Sequence, residues 1–294
     1  MLVKNYKPKE ASVSHLATDD VCKHRLREIV EELAYPRHYG YNYPENVKAR
    51  DWLVSELESY GLDVSLQGEF DNVVAERKKN ASDKVILLGA HYDTVPTTPG
   101  ADDNNSAIAV CLEAARVLSK YSDASFRVVI FNREEDGLLG SYEYVDEINK
   151  NDIAEVHIFE MVGYFTSKEG SQKSPAGLPI SLPDKGNFIG LLSNSKSNGV
   201  AKKIGTAFKM IGSNTPMLSL KTYFGIEKVF TDLLRSDHTP FWEAGIPAVM
   251  WTDTSEFRNP NYHAPTDTPD TLNYSSMADV TKVMVQHVLN RSTK

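Results

Sequence analysis

KVILLGAHYDTVPTTPGADDN, Lys84 to Asn104, is the stretch that decides the fold. Val85 to Leu88 is a short apolar run that suits a buried strand. Gly89 and Ala90 thin the side chains, and His91, Tyr92 and Asp93 stand where the strand should end. A loop with Pro96 and Pro99 leads to Gly100-Ala101-Asp102-Asp103-Asn104. An amphipathic helix follows, with Ile108, Cys111, Leu112, Ala115 and Leu118 on one face. Strand, loop and helix, with an imidazole and carboxylates at the strand's carboxyl end, point to an α/β fold. In open α/β sheets that edge is where sites lie.

Working outward, the pattern recurs. Phe126 to Phe131 (FRVVIF) is a second buried strand and runs into Asn132-Arg133-Glu134-Glu135-Asp136-Gly137-Leu138-Leu139-Gly140-Ser141. Glu155 to Phe159 is a third, with Glu160 at its end. Ala248 to Trp251 is the last core strand, and the long loop after it, Asp253 to Asn273, carries His263. Asn187 to Leu192 also reads as a strand, as do Asp63 to Phe70 and Asn72 to Arg77. Helices are expected after an Asp19 or Asp20 cap, with Cys22, Leu26, Ile29, Val30 and Leu33 buried. Others are expected from Pro44 to a stop at Gly61, at Ser197 to Met210, at Asp237 to Ala244 and at Ser276 to Asn290. Tyr35 to Tyr43 is aromatic and irregular, either a packed surface loop or part of a pocket rim. Thr166 to Gly186 is long for a structureless connection, which implies function or mobility. Met1 to Thr18 reads as a loose arm. With no internal repeat and no convincing linker, residues 1–294 read as one domain.

Composition narrows the class. Hydrophobic residues at 41% and charged residues at 24% suit a globular protein with a real core. A net charge of −8 argues against nucleic acid or an anionic membrane as partner. The two cysteines, Cys22 and Cys111, fall in helical patterns and read as core thiols. MLVKNYKPKE lacks an apolar signal-peptide core, which implies a cytoplasmic protein, although a trimmed secreted chain would look the same.

His91, the Glu134–Glu135 pair, Glu160 and the His263 loop each follow a separate buried strand, and Asp103 sits at the start of a helix. They would converge on one sheet edge. A lone strand-end histidine is usually just hydrogen-bonded, and an adjacent glutamate pair is usually solvated; the convergence is what argues for a site. Imidazoles and carboxylates without thiolates suit zinc, then cobalt or manganese. Crowded carboxylates raise one another's pKa, and two divalent cations would resolve that conflict.

HYDT (His91 to Thr94), GADDN (Gly100 to Asn104), EEDGLLGS (Glu134 to Ser141) and YHAPTDT (Tyr262 to Thr268) resemble, in chain order, the co-catalytic di-zinc aminopeptidases. That superfamily holds bacterial leucyl aminopeptidases, glutamate carboxypeptidase and glutaminyl cyclases. The resemblance runs from Asp71 to the C-terminus. It implies a doubly wound, mixed but mostly parallel sheet with helices on both faces. It also implies a zinc aminopeptidase acting on peptides with a free N-terminus, through a metal-bridging water. His91 and Glu160 would hold one zinc, Glu135 and His263 the other, with Asp103 bridging. Asp93 would hold the His91 imidazole by its other nitrogen. Glu134 would be the general base and acid. Tyr262 would either donate to the oxyanion or pack the ligand loop. Asp237 would support the site and His238 would be structural. The segment Thr166 to Gly186 would shape the pocket for the substrate's first side chain.

One residue departs from the pattern: many members have Asp where this chain has Glu160, which shifts a metal or its backbone. His15, His24, His38, His157 and His287 match no motif and read as structural or surface residues. The rival readings are a glutaminyl cyclase, which EEDGLLGS with GADDN disfavours, and a non-catalytic relative, which five filled ligand positions disfavour.

Overall fold

The computed structural model describes residues 1–11 and 16–292. The strands are β1 (Leu2–Tyr6), β2 (Asp63–Gln67), β3 (Asn72–Arg77), β4 (Val85–His91), β5 (Phe126–Phe131), β6 (Ile153–Phe159), β7 (Ile189–Ser193), β8 (Met217–Lys221) and β9 (Ala248–Thr252). The α-helices are α1 (Leu16–Asp19), α2 (Lys23–Glu32), α3 (Tyr43–Ser59), α4 (Ala107–Tyr121), α5 (Leu139–Glu147), α6 (Asn198–Ile211), α7 (His238–Glu243) and α8 (Tyr274–Ser292).

The nine strands of the described residues form one mixed sheet, in the order β1-β8-β7-β9-β6-β4-β5-β3-β2. Its centre, β9-β6-β4-β5, is parallel, and antiparallel pairs flank it at β7 and β3. Parallel strands covered on both faces carry near-continuous apolar runs, and β4 is buried along its whole length. One apolar layer joins α2, α3, α4, α6 and α8 to the sheet. The other holds Tyr144 and Val145 of α5 with Phe241 and Trp242 of α7. Helices therefore cover both faces, and the carboxyl ends of the four parallel strands share one edge. Among the described residues no helix is long and apolar enough to cross a membrane.

Several expectations need correction. Leu2–Tyr6, read as part of a loose arm, is an edge strand paired antiparallel with β8; Tyr6 closes it by packing edge-on against Phe208 of α6. Strand β8 escaped notice because MLSLK is short and half polar. The first strand after α3 stops at Gln67, where Gly68 (φ +78) turns the chain. Helix α2 begins after Cys22 without an aspartate cap: the Cys22 N–H donates to Glu113 Oε1 (2.7 Å), and Asp20 accepts from Arg116 instead. Cys22 is exposed, and only Cys111 is a core thiol. His15 lies outside the described residues.

Candidate metal centre

Four strand ends and one turn build the site. His91 ends β4 and is fully buried. Its Nδ1 donates to the Asp93 carbonyl (3.1 Å), which turns Nε2 toward the sheet edge. The turn Ala101–Ser106 leads into α4, with Asp103 off helical geometry at φ −104, ψ 85. Gly100 (φ +67) is required there, since a Cβ would lie 2.5 Å from the Asp103 carbonyl oxygen. Glu134 and Glu135 follow β5, Glu160 follows β6, and His263 sits on the loop after β9.

The side chains meet. His91 Nε2 lies 3.2 Å from Asp103 Oδ1, 3.5 Å from Glu160 Oε1 and 3.9 Å from Glu134 Oε2. His263 Nε2 lies 3.1 Å from Asp103 Oδ2 and 3.2 Å from Glu135 Oε2. Two donor groups result, His91 with Glu134 and Glu160, and Asp103 with Glu135 and His263; within each, donor atoms lie within 4.8 Å of one another. Asp103 presents one oxygen to each imidazole.

The donors fit divalent cations. His91 Nε2, Asp103 Oδ1 and Glu135 Oε1 are buried with no hydrogen-bond partner among the described residues. Buried polar atoms are nearly always paired, so three orphans at one point mark a place made for a ligand. Nitrogen and carboxylate oxygen donors of this mix suit zinc. The electrostatics agree. Burial raises Glu134 well above its usual range, with Glu160 and Asp237 adding and His91 opposing. Burial and Asp103 raise Glu135 to about 7. Burial disfavours the His91 cation, but Glu160 and Glu134 outweigh it and hold His91 well above its ordinary value. His263, opposed by burial but paired with Asp103 and Glu135, rises to about 10. Protons shared in this way are what a bound cation displaces.

Buried carboxylates hold the backbone under the donors. Asp93 accepts from the Glu134 and Glu135 N–H groups (3.1 Å each). Its carboxylate therefore clamps the glutamate pair, while its carbonyl orients His91. Asp267 accepts from the Asp102 N–H (2.9 Å) and the Asp103 N–H (3.1 Å). Asp102 in turn accepts from Asn259 Nδ2 (2.6 Å). Ser236 Oγ donates to Glu160 Oε2 (2.8 Å), which leaves Oε1 toward His91.

Asp237 is fully buried, and its carboxyl is pushed by burial to about 7. His238 bonds the Leu233 carbonyl (2.9 Å) and packs edge-on against Trp242 at 4.5 Å. The Tyr262 ring stacks on His263 at 3.8 Å, and its hydroxyl accepts from Arg235 (3.3 Å). Burial and the Asp103 and Glu135 carboxylates push Tyr262 upward, so it stays a protonated donor.

Beside the centre opens a cavity of about 130 Å³, lined by Leu178, Ile180, Phe188, Leu192, Leu220 and Met250 and reaching Asp103, Glu134 and His263. A cavity of ~150 Å³ takes benzene, so this one suits a single large apolar group. Pro175, Leu178, Ile180 and Leu182 of the segment after Glu160 form part of its wall. Tyr35 to Tyr43 does not line it. That loop packs through Arg37, which is fully buried and donates to the carbonyls of Tyr92, Leu33, Tyr35 and Pro99 and to Asn105 Oδ1.

Reading from sequence missed Asp267, Ser236 and Arg37. Asp267 sits inside the quoted motif YHAPTDT, and Ser236 directly precedes Asp237. Nothing local to Arg37 marks its role, because its acceptors are carbonyls brought in by the fold.

A separate buried group, Glu155, His157 and His287, also offers three donors. Trp251 Nε1 donates to His157 Nδ1 (3.3 Å), which keeps the His157 proton on Nε2, 3.5 Å from Glu155 Oε1. His287 Nε2 bonds the same carboxylate oxygen, and Arg291 lies 3.7 Å from the other. The Glu155 carboxylate is thus held by His287 and Arg291, with His157 Nε2 beside it and without a hydrogen bond among the described residues. Burial pulls His157 from 6.5 to about 4, against the attraction of Glu155. The unfolded chain therefore binds a proton in that window that the folded chain refuses. Stability from this residue is full above pH 6.5 and lost as pH falls toward 4, by about 3 kcal/mol. His157→Gln should flatten the fall of Tm between pH 6.5 and 4; an unchanged slope would reject the assignment.

Comparison with known proteins places the chain. The model of peptidase family M28 matches residues 72–288. The uncharacterized protein YfbL of Escherichia coli is 32% identical over 237 residues, covering 76% of this chain and 72% of YfbL. Aminopeptidase YwaD of Bacillus subtilis is 37% identical over 190 residues, 62% of this chain but only 36% of YwaD, so the chain spans about a third of that relative's length. The solved aminopeptidase of Aneurinibacillus superposes with a TM-score of 0.69 at 18% identity, over 94% of this chain and 95% of that one; at this identity it shows the shared fold.

Proposed function

The chain belongs to peptidase family M28, and on that premise we propose that it is a zinc-dependent aminopeptidase that releases the N-terminal residue of peptides. The observation that carries this is the donor cluster with its buried orphan atoms opening onto an apolar cavity. Two zinc ions, one held by His91 and Glu160, the other by Glu135 and His263, with Asp103 shared, would supply Lewis acidity and a water acidic enough to react near neutral pH.

The chain's own groups do the rest. Glu134 takes the proton of the attacking water and returns it to the leaving amine. The attack needs Glu134 ionised; burial raises its affinity for the proton it then takes, which lets it hold that proton until the amine leaves. Tyr262, a protonated phenol stacked on His263, donates to the developing oxyanion. The free amine of the substrate faces Glu160, whose Oε2 is held by Ser236. The apolar cavity receives the first side chain and excludes water from it.

A cyclase on the same scaffold would need no attacking water, because the substrate's amine attacks its own side-chain amide. A peptide beginning with Gln separates the two. We expect free Gln as product, with pyroglutamate and ammonia at the uncatalysed background; stoichiometric ammonia would move the assignment to the cyclases.

A further inference from the structure

The segment between Tyr164 and Phe188 holds one wall of the cavity, yet it contains no helix or strand. Its two ends meet at one side chain. Arg258, 5% exposed, donates from Nη1 to the Phe188 carbonyl (2.8 Å) and the Tyr164 carbonyl (3.3 Å). Its Nε donates to Gln172 Oε1 (2.9 Å), about a third of the way along the segment. The guanidinium also lies over the Phe188 ring at 4.5 Å. Gly186 is required at this contact, since a Cβ there would sit 2.7 Å from Arg258 Cγ and Cδ.

The same strap is tied to the loop that carries His263. Lys173 N–H donates to the Phe257 carbonyl (2.7 Å), and Gln172 Nε2 donates to Thr254 Oγ1 (2.8 Å). Arg258 itself stands five positions before His263 and does not line the cavity. Within the strap, backbone bonds tie Thr166 N–H to the Gly186 carbonyl (2.9 Å) and Gln172 N–H to the Asp184 carbonyl (3.1 Å); its position on the sheet edge rests on the Lys173 N–H and on these side-chain anchors. One planar guanidinium reaches three acceptors at fixed angles; a lysine ammonium on a flexible stem would not hold all three.

We propose that Arg258 is a specificity-determining positioning residue: it clasps the 164–188 strap to the His263 loop and so sets the wall that selects a large apolar first side chain. This rests on the aminopeptidase reading above. Arg258 acts through Leu178 and Ile180, which touch the cavity.

The test uses the zinc-loaded full chain and its Arg258→Lys and Gln172→Ala variants, the second a milder cut should the first not fold. Hydrogen exchange should quicken by about tenfold or more within 164–188 and stay near wild type in α4 and α8. With aminoacyl reporters, KM for a leucyl or phenylalanyl substrate should rise about tenfold, the discrimination one apolar contact gives. We expect kcat, zinc content and alanyl kcat/KM to stay within about twofold. Leu178→Ala should lower the leucyl-to-alanyl ratio in the same direction without changing exchange. Unchanged exchange in the strap, or equal losses on both reporters, would overturn the proposal. A wild-type protein that releases no residue from either reporter would instead sink the aminopeptidase reading, while the exchange data would still decide the clasp.

Discussion

Glu134→Gln should lower kcat by about 10²-fold or more, because a general-base step contributes ~10²–10⁴, while zinc content stays near wild type. The substitution keeps size and shape and removes proton transfer. It also keeps the fold, since the pair is held through backbone N–H groups that donate to Asp93, which the side chain does not disturb. Glu134 stands 3.9 Å from His91 Nε2, the longest of the three contacts that nitrogen makes with carboxylates in the cluster. Glu134 shares a donor group with His91 and Glu160, so the zinc content of this variant decides whether it carries protons or holds metal. Glu135→Gln should behave in the opposite way, losing metal, because Glu135 Oε2 faces His263 at 3.2 Å. If Glu134→Gln loses zinc and Glu135→Gln keeps it, the pair is assigned backwards.

Chelation should abolish activity, and zinc or cobalt should restore it. Several kcal/mol of Lewis-acid stabilisation would vanish, which at about 1.4 kcal/mol per decade is a fall of ~10³-fold or more. Purified protein should carry close to two zinc equivalents. Asp103→Ala should cost more metal than any other single ligand change, since its two oxygens face the two imidazoles at 3.2 and 3.1 Å. The pH dependence has a definite sign. Glu135 at about 7 and His263 at about 10 must give up protons to bind a cation, so affinity falls as pH drops, and zinc content at equal free zinc should be lower at acid pH. Full activity after verified removal of all metal would reject the proposed chemistry.

The parallel strands were legible for a physical reason. β4, β5, β6 and β9 are covered on both faces, so they stand out as apolar runs, and the residue after each run falls on the edge where sites form. The edge strand β1 carries no such mark: LVKNY is short and half polar, and its pairing with β8 is what makes it a strand. Strand β8 lies inside the sheet between β1 and β7, but MLSLK breaks its apolar run with Ser219 and Lys221. Donor side chains were legible because their chemistry is unusual at strand ends. The supports were less so. Asp267 was visible only as a letter in a motif, since its role is to receive two N–H groups 164 and 165 positions away. Arg37 and Arg258 left no local signal, because a buried arginine is defined by carbonyls that only the folded chain brings to it. Asp93 was expected at the His91 ring, and its Oδ1 does lie 3.4 Å from His91 Nδ1; what the sequence did not show is that the same carboxylate also receives the Glu134 and Glu135 N–H groups.

The most direct test of the account is a single peptide in two forms, free at its N-terminus and acetylated there, incubated with the zinc-loaded protein and read by mass spectrometry. The free form should lose its first residue and nothing else at early times, and the acetylated form should be cut poorly, because its blocked amine can no longer meet Glu160. Rapid cutting of the acetylated peptide at an internal bond would contradict the account.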